Sequence, residues 1–196
     1  MDELTPLGEN LDHPFGESFN SILDEAHRQL LNEAPIHLLP VTDVSEETVA
    51  YDLTNDFAYV QVPDNFIRIA SFKFSGWTNP ATKFISQEHP EYKNIEHGLI
   101  TKNVIKPIVV LEYSLQAAIS VTPKRYLKCY SVEKATGVDP VRWLYVISEG
   151  DVSLLIDKTA DALIWLSASK LMQAFEIPGY KLADDRYKEF LISNAR

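Results

Sequence analysis

The 196-residue sequence has one cysteine, Cys129, and seven isolated glycines. A single cysteine excludes a disulfide within the chain and a metal site built from cysteines, and we expect Cys129 to be a small buried residue of a strand. The glycines form neither GxGxxG nor GxxxxGK[ST], so there is no glycine-rich phosphate loop. HExxH and GxSxG are absent as well. The common sequence signs of an enzyme are therefore missing.

Long apolar runs and early basic residues are also scarce. No apolar run approaches the ~18 residues of a membrane span. The first basic residue is Arg28, which is not expected of a secretory signal peptide. We expect a soluble protein that is made in a reducing cytoplasm and has no membrane partner.

The formal net charge of −10 is concentrated in the first third of the chain. Residues 1–60 hold 13 acidic side chains and only Arg28 as a basic one, whereas residues 61–196 hold 15 acidic and 17 basic side chains. Such a surface repels phosphates, which argues against a protein that grips nucleic acid. A solvated acidic face and a functional acidic surface explain this distribution equally well.

Hydrophobic periodicity predicts an α+β fold in which an antiparallel β region is inserted between N- and C-terminal helices that form a bundle. Residues 1–16, broken by proline and glycine, are predicted to be an extended arm, and 17–196 a single domain. The β region spans about 48–148, where short strands follow one another through local turns. Two helices, over about 152–176 and 182–194, complete the chain.

Each predicted helix has an apolar stripe that we expect to be buried. Ser18 is the expected N-cap of a first helix over 18–34, and His27 and Arg28 fall outside its stripe. In the helix over 152–176, Lys158, Asp161 and Lys170 are expected to face away from the core. The stripes, in chain order, are Phe19, Ile22, Leu23, Ala26 and Leu30; then Ile156, Ala160, Leu163, Ile164, Leu171, Ala174 and Phe175; then Ala183, Tyr187, Phe190 and Leu191.

The segment from Val62 to Trp77 carries the strongest strand signal. Apolar and polar residues alternate from Ala70 to Ser75, and Pro63 followed by Asp64-Asn65 marks the entry. Ile67 and Ile69 lie in the opposite phase, which indicates either a bulge near Ala70 or a first half of the strand that is buried on both sides. A helix remains an alternative, because Phe66, Ala70, Phe74 and Trp77 are spaced three or four apart; aromatic and β-branched content favours the strand.

Candidate chemistry is sparse, and we predict no catalytic, cofactor-binding or metal-binding residues. His89 and His97 lie beside Glu88, Glu91 and Glu96, but their spacing matches no metal-ligand signature, so solvated surface is the better interpretation. His27 has acidic neighbours and no marked nucleophile. Asp184-Asp185 is explained by charge pairing at the start of a helix.

The run from Val62 to Ile69, continuing to Gly76-Trp77, resembles a signature stretch of bacteriophage head-to-tail adaptor proteins. It is similar to the tail tubular protein A type of short-tailed phages, including the ring proteins of crAss-like phages. In that family a proline-acidic entry leads to a strand that ends near Trp. Further matches are an irregular segment with Tyr92, the strand opening Lys106-Pro107 and the alanine-bearing helix 160–168. The acidic arm over 1–16 does not match the family pattern.

The resemblance implies a structural virion protein rather than an enzyme. Such adaptors assemble as a ring of twelve copies between the portal protein and the next tail component, and DNA passes through the channel during genome ejection without sequence-specific binding. In such a ring the acidic third would repel DNA from the lumen or rim, and the arm would clasp a neighbouring subunit. We expect the protein in the virion, and in the host cytoplasm during assembly.

Two other functions stay open. A monomeric acidic protein that mimics DNA and occupies a nucleic-acid-binding partner would also explain the acidic third. A hydrolase of unknown type would need a pocket with converging polar residues, and His89 and His97 are the residues to test.

Overall fold

The computed structural model describes residues 14–47, 49–52, 57–96, 103–114, 124–132, 140–150 and 152–195. The described residues form four α-helices and two β-sheets, so the α+β class is confirmed. Most of the expected arm, residues 1–13, lies outside them. The chain divides into two compact units, residues 1–40 with 149–196 and residues 41–148. The expected single domain over 17–196 stays a prediction.

The elements have the following bounds. The helices are α1 Pro14–Glu33, α2 Pro90–Glu96, α3 Asp157–Ala174 and α4 Tyr180–Ser193. The strands are β1 Thr42–Asp43, β2 Val49–Asp52, β3 Phe57–Gln61, β4 Phe66–Phe74, β5 Lys83–Ser86, β6 Ile108–Ser114, β7 Lys124–Tyr130 and β8 Val141–Ser148.

Helix α1 begins at Pro14, four residues before the expected N-cap Ser18. Proline suits the first turn of a helix, because the N–H that it lacks has no partner there. The last residues of the expected arm, 14–16, are therefore helical. His27 is also buried, although the sequence placed it outside the apolar stripe, whereas Arg28 is exposed as expected.

Residues 41–148 form the β unit, a pair of sheets around one core. The three-stranded sheet has the order β1-β8-β4, and the five-stranded sheet the order β2-β3-β7-β6-β5. Strands β3, β6 and β7 of one sheet and β4 and β8 of the other contribute side chains to the same buried cluster. Trp77 lies in this cluster, packs edge-on against Phe72 and donates a hydrogen bond from Nε1 to the Tyr130 carbonyl at 3.1 Å. Cys129 is fully buried there, and burial raises the pKa of its thiol.

Strand β4 is the strand that the sequence predicted, and the helical alternative is wrong. Its pairing with β8 shifts register after Phe66, after Ile69 and after Lys73, so the expected bulge near Ala70 is confirmed. Each extra residue reverses the phase of the side chains that follow it. As a result Ile69, predicted on the opposite face, packs against the same core as Phe72 and Phe74.

The pairing of β5 with β6 departs from the antiparallel expectation, because these strands run parallel. Parallel neighbours need a crossover connection rather than a hairpin. Residues 87–107 provide it and include helix α2. Tyr92 and Ile95 of α2 pack on the outer face of the five-stranded sheet.

Candidate interaction surface

Residues 14–40, 149–150 and 152–195 form the described part of the helical unit, in which α3 contacts both α1 and α4. Polar contacts join these helices: Tyr187 Oη donates to Glu33 Oε2 at 2.8 Å, and Lys170 Nζ lies 2.7 Å from Glu25 Oε1. Thr159 Oγ1 of α3 also donates to the carbonyl of Leu38, in the segment after α1, at 3.0 Å. Burial and the Glu33 carboxylate both raise the pKa of Tyr187. The hydroxyl therefore stays protonated and continues to donate.

The buried side of α3 is made largely of small side chains. Its buried residues are Thr159, Ala162, Leu166, Ser167 and Ser169. Small residues let a helix approach its neighbours closely, and hydroxyl groups can satisfy their bonding potential within the helix or across the contact. Thus α3 packs through a face that hydropathy alone does not mark as core.

The other side of α3 carries large apolar side chains in contact with solvent. Ile164, Ala168, Leu171 and Phe175 follow each other at intervals of four, three and four residues, so they lie along one face. Ile164 is 63% exposed and Phe175 is 46% exposed. Trp165, 42% exposed, borders the same face. We call Ile164, Trp165, Ala168, Leu171, Met172 and Phe175 the outer stripe of α3.

The predicted core stripe of this helix is therefore wrong in orientation. Of its members, Ile156, Ile164, Ala174 and Phe175 are exposed, and Ala160, Leu163 and Leu171 are only half-buried. Lys170, expected to face solvent, is half-buried against α1. In the C-terminal half of α3, both sides of the helix carry apolar or small residues. Hydrophobic periodicity therefore does not distinguish the buried side from the exposed side.

The outer stripe leads into a concave region at the turn between α3 and α4. A cavity of about 460 Å³ is lined by Met172, Gln173, Glu176, Ile177, Pro178 and Tyr180. The turn is held by two backbone bonds, from Ile177 N to Met172 O at 2.8 Å and from Glu176 N to Gln173 O at 3.2 Å. These bonds form a Schellman motif, which fixes the path of the chain after α3.

Charge is distributed unequally between the two units. Residues 1–40 and 149–196 hold 16 acidic and 7 basic side chains, a net charge of −9, whereas residues 41–148 hold 12 acidic and 11 basic ones. The apolar outer stripe thus belongs to the strongly acidic part of the chain. Like-charged surfaces repel at a distance, so a contact through the stripe depends on apolar burial at short range.

His89 and Asp184, two of the polar residues that the sequence singled out, have partners close by in the sequence. His89 is exposed, and its Nδ1 accepts a hydrogen bond from the Glu91 amide at 3.2 Å, while His97 lies outside the described residues. Asp184 pairs with Lys188 of the same helix at 2.5 Å. Across the described ranges, no group of three or more His, Cys, Asp or Glu side chains has an arrangement that could hold a metal ion.

A buried ion pair in the β unit has no counterpart in the sequence prediction. Lys128 Nζ lies 3.4 Å from Glu112 Oε1, and both side chains are only 8% exposed. Tyr92 Oη donates to the same Glu112 oxygen at 3.0 Å, and Lys128 Nζ lies 4.6 Å from the ring centre of Phe57. The register places Lys128 and Glu112 on one face of neighbouring strands. The sequence did contain a sign of this pair. Along β6 and β7, Glu112 and Lys128 alternate with the residues that face the core, so both could be assigned to the opposite face of the sheet.

No protein-family model matches this chain, and no curated protein is similar to it. In the described part of the chain, no helix has both the length and the apolar character that a membrane crossing requires.

Proposed function

We propose that this chain is the subunit of a ring-shaped adaptor between the portal vertex and the tail of a bacteriophage. In this proposal the N- and C-terminal helices act as a bundle with the β region inserted in it. About twelve copies close into a ring whose channel passes DNA without reading its sequence. The partners are neighbouring copies, the portal protein and the next tail component, and the protein resides in the virion.

The observation that carries the proposal is the outer stripe of α3. Exposed large apolar side chains that lie side by side on one helix face, such as Ile164, Trp165 and Phe175, are typical of a surface that another protein covers. In a ring, each subunit presents one surface to the neighbour on its left and a different one to the neighbour on its right. We assign the outer stripe to one of these two surfaces.

The acidic charge of the helical unit supports the same proposal. Repeated around a channel, a net charge of −9 per copy would repel DNA phosphates and keep the passing strand from adhering. The resemblance of the segment from Val62 to Trp77 to adaptor proteins agrees with this assignment.

The test is electron microscopy of the purified protein, alone and mixed with the portal protein of the same source, with particles classified by symmetry. Light scattering after size exclusion measures the mass in parallel. We expect closed rings with a mass close to twelve times the 22.2 kDa of the chain, free or stacked on the portal.

Two matched substitutions test the surface itself. Ile164→Asp places a charge in the outer stripe, and we expect it to abolish ring formation while the circular dichroism spectrum is unchanged. Ile105→Asp is the control, because Ile105 is 53% exposed and lies in the β unit, and we expect its rings to persist. Rings that survive Ile164→Asp would show that the outer stripe is not the contact.

Monomers that leave portal particles undecorated would contradict the ring. A monomeric acidic protein that mimics DNA would then be the leading function, and it should compete with DNA for a basic partner in a salt-dependent manner.

A further inference from the structure

The β unit contains a second cavity, of about 290 Å³, at the side where its two sheets end. Strand β4 is the last strand of the three-stranded sheet, and β5 is the last strand of the five-stranded sheet. The cavity is lined by Phe66, Ile67, Arg68, Ile69, Phe84, Ile85, Ser86 and Leu111. It therefore opens between two strand edges rather than in a loop.

The apolar walls of this cavity continue the core. Ser86 pairs with Leu111 across β5 and β6, and Phe84 lies two residues before Ser86, so these side chains share one face of the sheet. Leu111 packs against the same buried cluster that holds Phe66. Walls of this kind favour an aliphatic group that leaves water.

Arg68 is the one charged side chain among the residues that line the cavity. A guanidinium beside an apolar wall binds a carboxylate through two parallel hydrogen bonds, and such bonds are stronger than those between neutral groups. The Ser86 hydroxyl is a second polar group at the mouth. Burial lowers the pKa of Arg68, which is the expected effect of removing a guanidinium from water.

We propose that this cavity is a binding site for a small aliphatic carboxylate. Arg68 binds the carboxylate, and the alkyl chain lies against Phe66, Phe84 and Leu111. The volume lies at the lower end of the range for ligand sites, so it selects a short chain rather than a long fatty acid. This proposal does not rest on the ring, because it uses only residues of the β unit.

The test is a titration of the full-length protein with straight-chain carboxylates from butanoate to dodecanoate, followed by calorimetry or ligand-observed NMR. We expect affinity to rise about fourfold per added methylene. The rise should stop once the cavity is filled. The alcohol of the same length should bind at least about tenfold more weakly, since it cannot pair with the guanidinium.

Variants locate the site and separate folding from binding. Arg68→Leu should remove the advantage of the acid over the alcohol, and retained binding of the alcohol shows that the cavity is still formed. Ser86→Phe should fill the mouth and abolish binding of both. Arg142→Leu is the matched control, because Arg142 is exposed on β8 and does not line the cavity.

Three results would overturn the proposal. They are equal affinity for acid and alcohol, an acid preference that persists in Arg68→Leu, and absence of binding by every acid in the series. If the acids fail and a peptide with the acidic, leucine-bearing sequence of residues 1–13 binds instead, the cavity is a contact between copies of this chain. The titrations with acids and alcohols do not bear on ring formation, which is scored separately by particle mass.

Discussion

His27 shows how position on a helix changes the chemistry of a side chain. The sequence placed it outside the apolar stripe of α1, yet it is only 8% exposed. Burial lowers the pKa of its imidazole, and this effect outweighs the carboxylates of Glu149 and Asp24, which act in the opposite direction. The folded protein therefore holds His27 neutral more strongly than the unfolded chain does.

This shift predicts a loss of stability in mild acid. Below the ordinary pKa of 6.5 the unfolded chain takes up a proton at His27 that the folded protein does not, so the free energy of unfolding falls as the pH drops through that value. Urea unfolding of the natural protein and of His27→Gln at pH 7.5 and 5.0 measures the effect. The natural protein should lose more stability than the variant, and an equal loss in both would show that His27 does not contribute.

The Lys128–Glu112 pair yields a second prediction for single residues. Glu112→Gln leaves the buried ammonium of Lys128 with a weaker partner, and breaking a buried pair costs about 3–5 kcal/mol. The double variant Lys128→Met, Glu112→Gln removes both charges and should recover most of that loss.

Urea unfolding of both single variants and the double variant completes the cycle. An additive result would mean that the two charges do not interact, despite a separation of 3.4 Å between Nζ and Oε1.

Among the elements, β4 was predicted correctly from the sequence, whereas the buried side of α3 was not. Strand β4 was predicted, including the shift near Ala70, because that shift coincides with a change of phase in the alternation of apolar and polar residues. The shift after Lys73 leaves no such sign in the sequence of β4, because its extra residue lies on β8. Residues of the outer stripe of α3 were predicted to be in the core. Apolar periodicity identifies the apolar face of a helix, but it does not show whether that face packs inside the chain or remains exposed. The small residues Ala162 and Ser169 on the buried side carry little hydropathy signal, so only the packing reveals their role.

The end of α3 gives a prediction of its own. Glu176 adopts a left-handed conformation, φ 55°, at the Schellman position that glycine usually occupies, and Gly179 has φ 101°. Glu176→Gly should therefore stabilise the protein by about 1 kcal/mol, because it relieves the Cβ strain.

Gly179→Ala should destabilise it by a similar amount, although a Cβ at Gly179 would meet no atom within 4 Å. Thermal unfolding of the two variants compares them directly. If Glu176→Gly loses stability instead, the Glu176 side chain makes a contact that stabilises the fold by more than the left-handed backbone costs.

For the whole molecule, the sequence predicted that a β region is inserted between terminal helices, but not that this region forms a compact unit around its own core. Periodicity located the β region at about 48–148, close to the observed 41–148. Periodicity did not indicate that this region has a core of its own. That core forms because β4 and β8 pack against the five-stranded sheet, which is a contact between residues far apart in the sequence.

A unit with its own core should fold alone. We expect a fragment of residues 41–148 to unfold cooperatively in urea, followed by the fluorescence of Trp77 and Trp143. A fragment without a cooperative transition would show that the β unit needs the helical segments to fold. The natural protein with Trp165→Phe is the control, because its remaining tryptophans are the same two residues.

The pairing of β1 with β8 has a mechanical consequence. Thr42 lies opposite Val146 and Asp43 opposite Tyr145, so the chain enters and leaves the β unit at the same end of one antiparallel pair. Tension applied through Pro40 and Glu149 would pull these two strands apart from that end, and their hydrogen bonds would break one after another instead of sharing the load. The junction between the units is therefore the point at which stretching of the chain should first open the β unit, while the β4–β8 pairing behind it still holds.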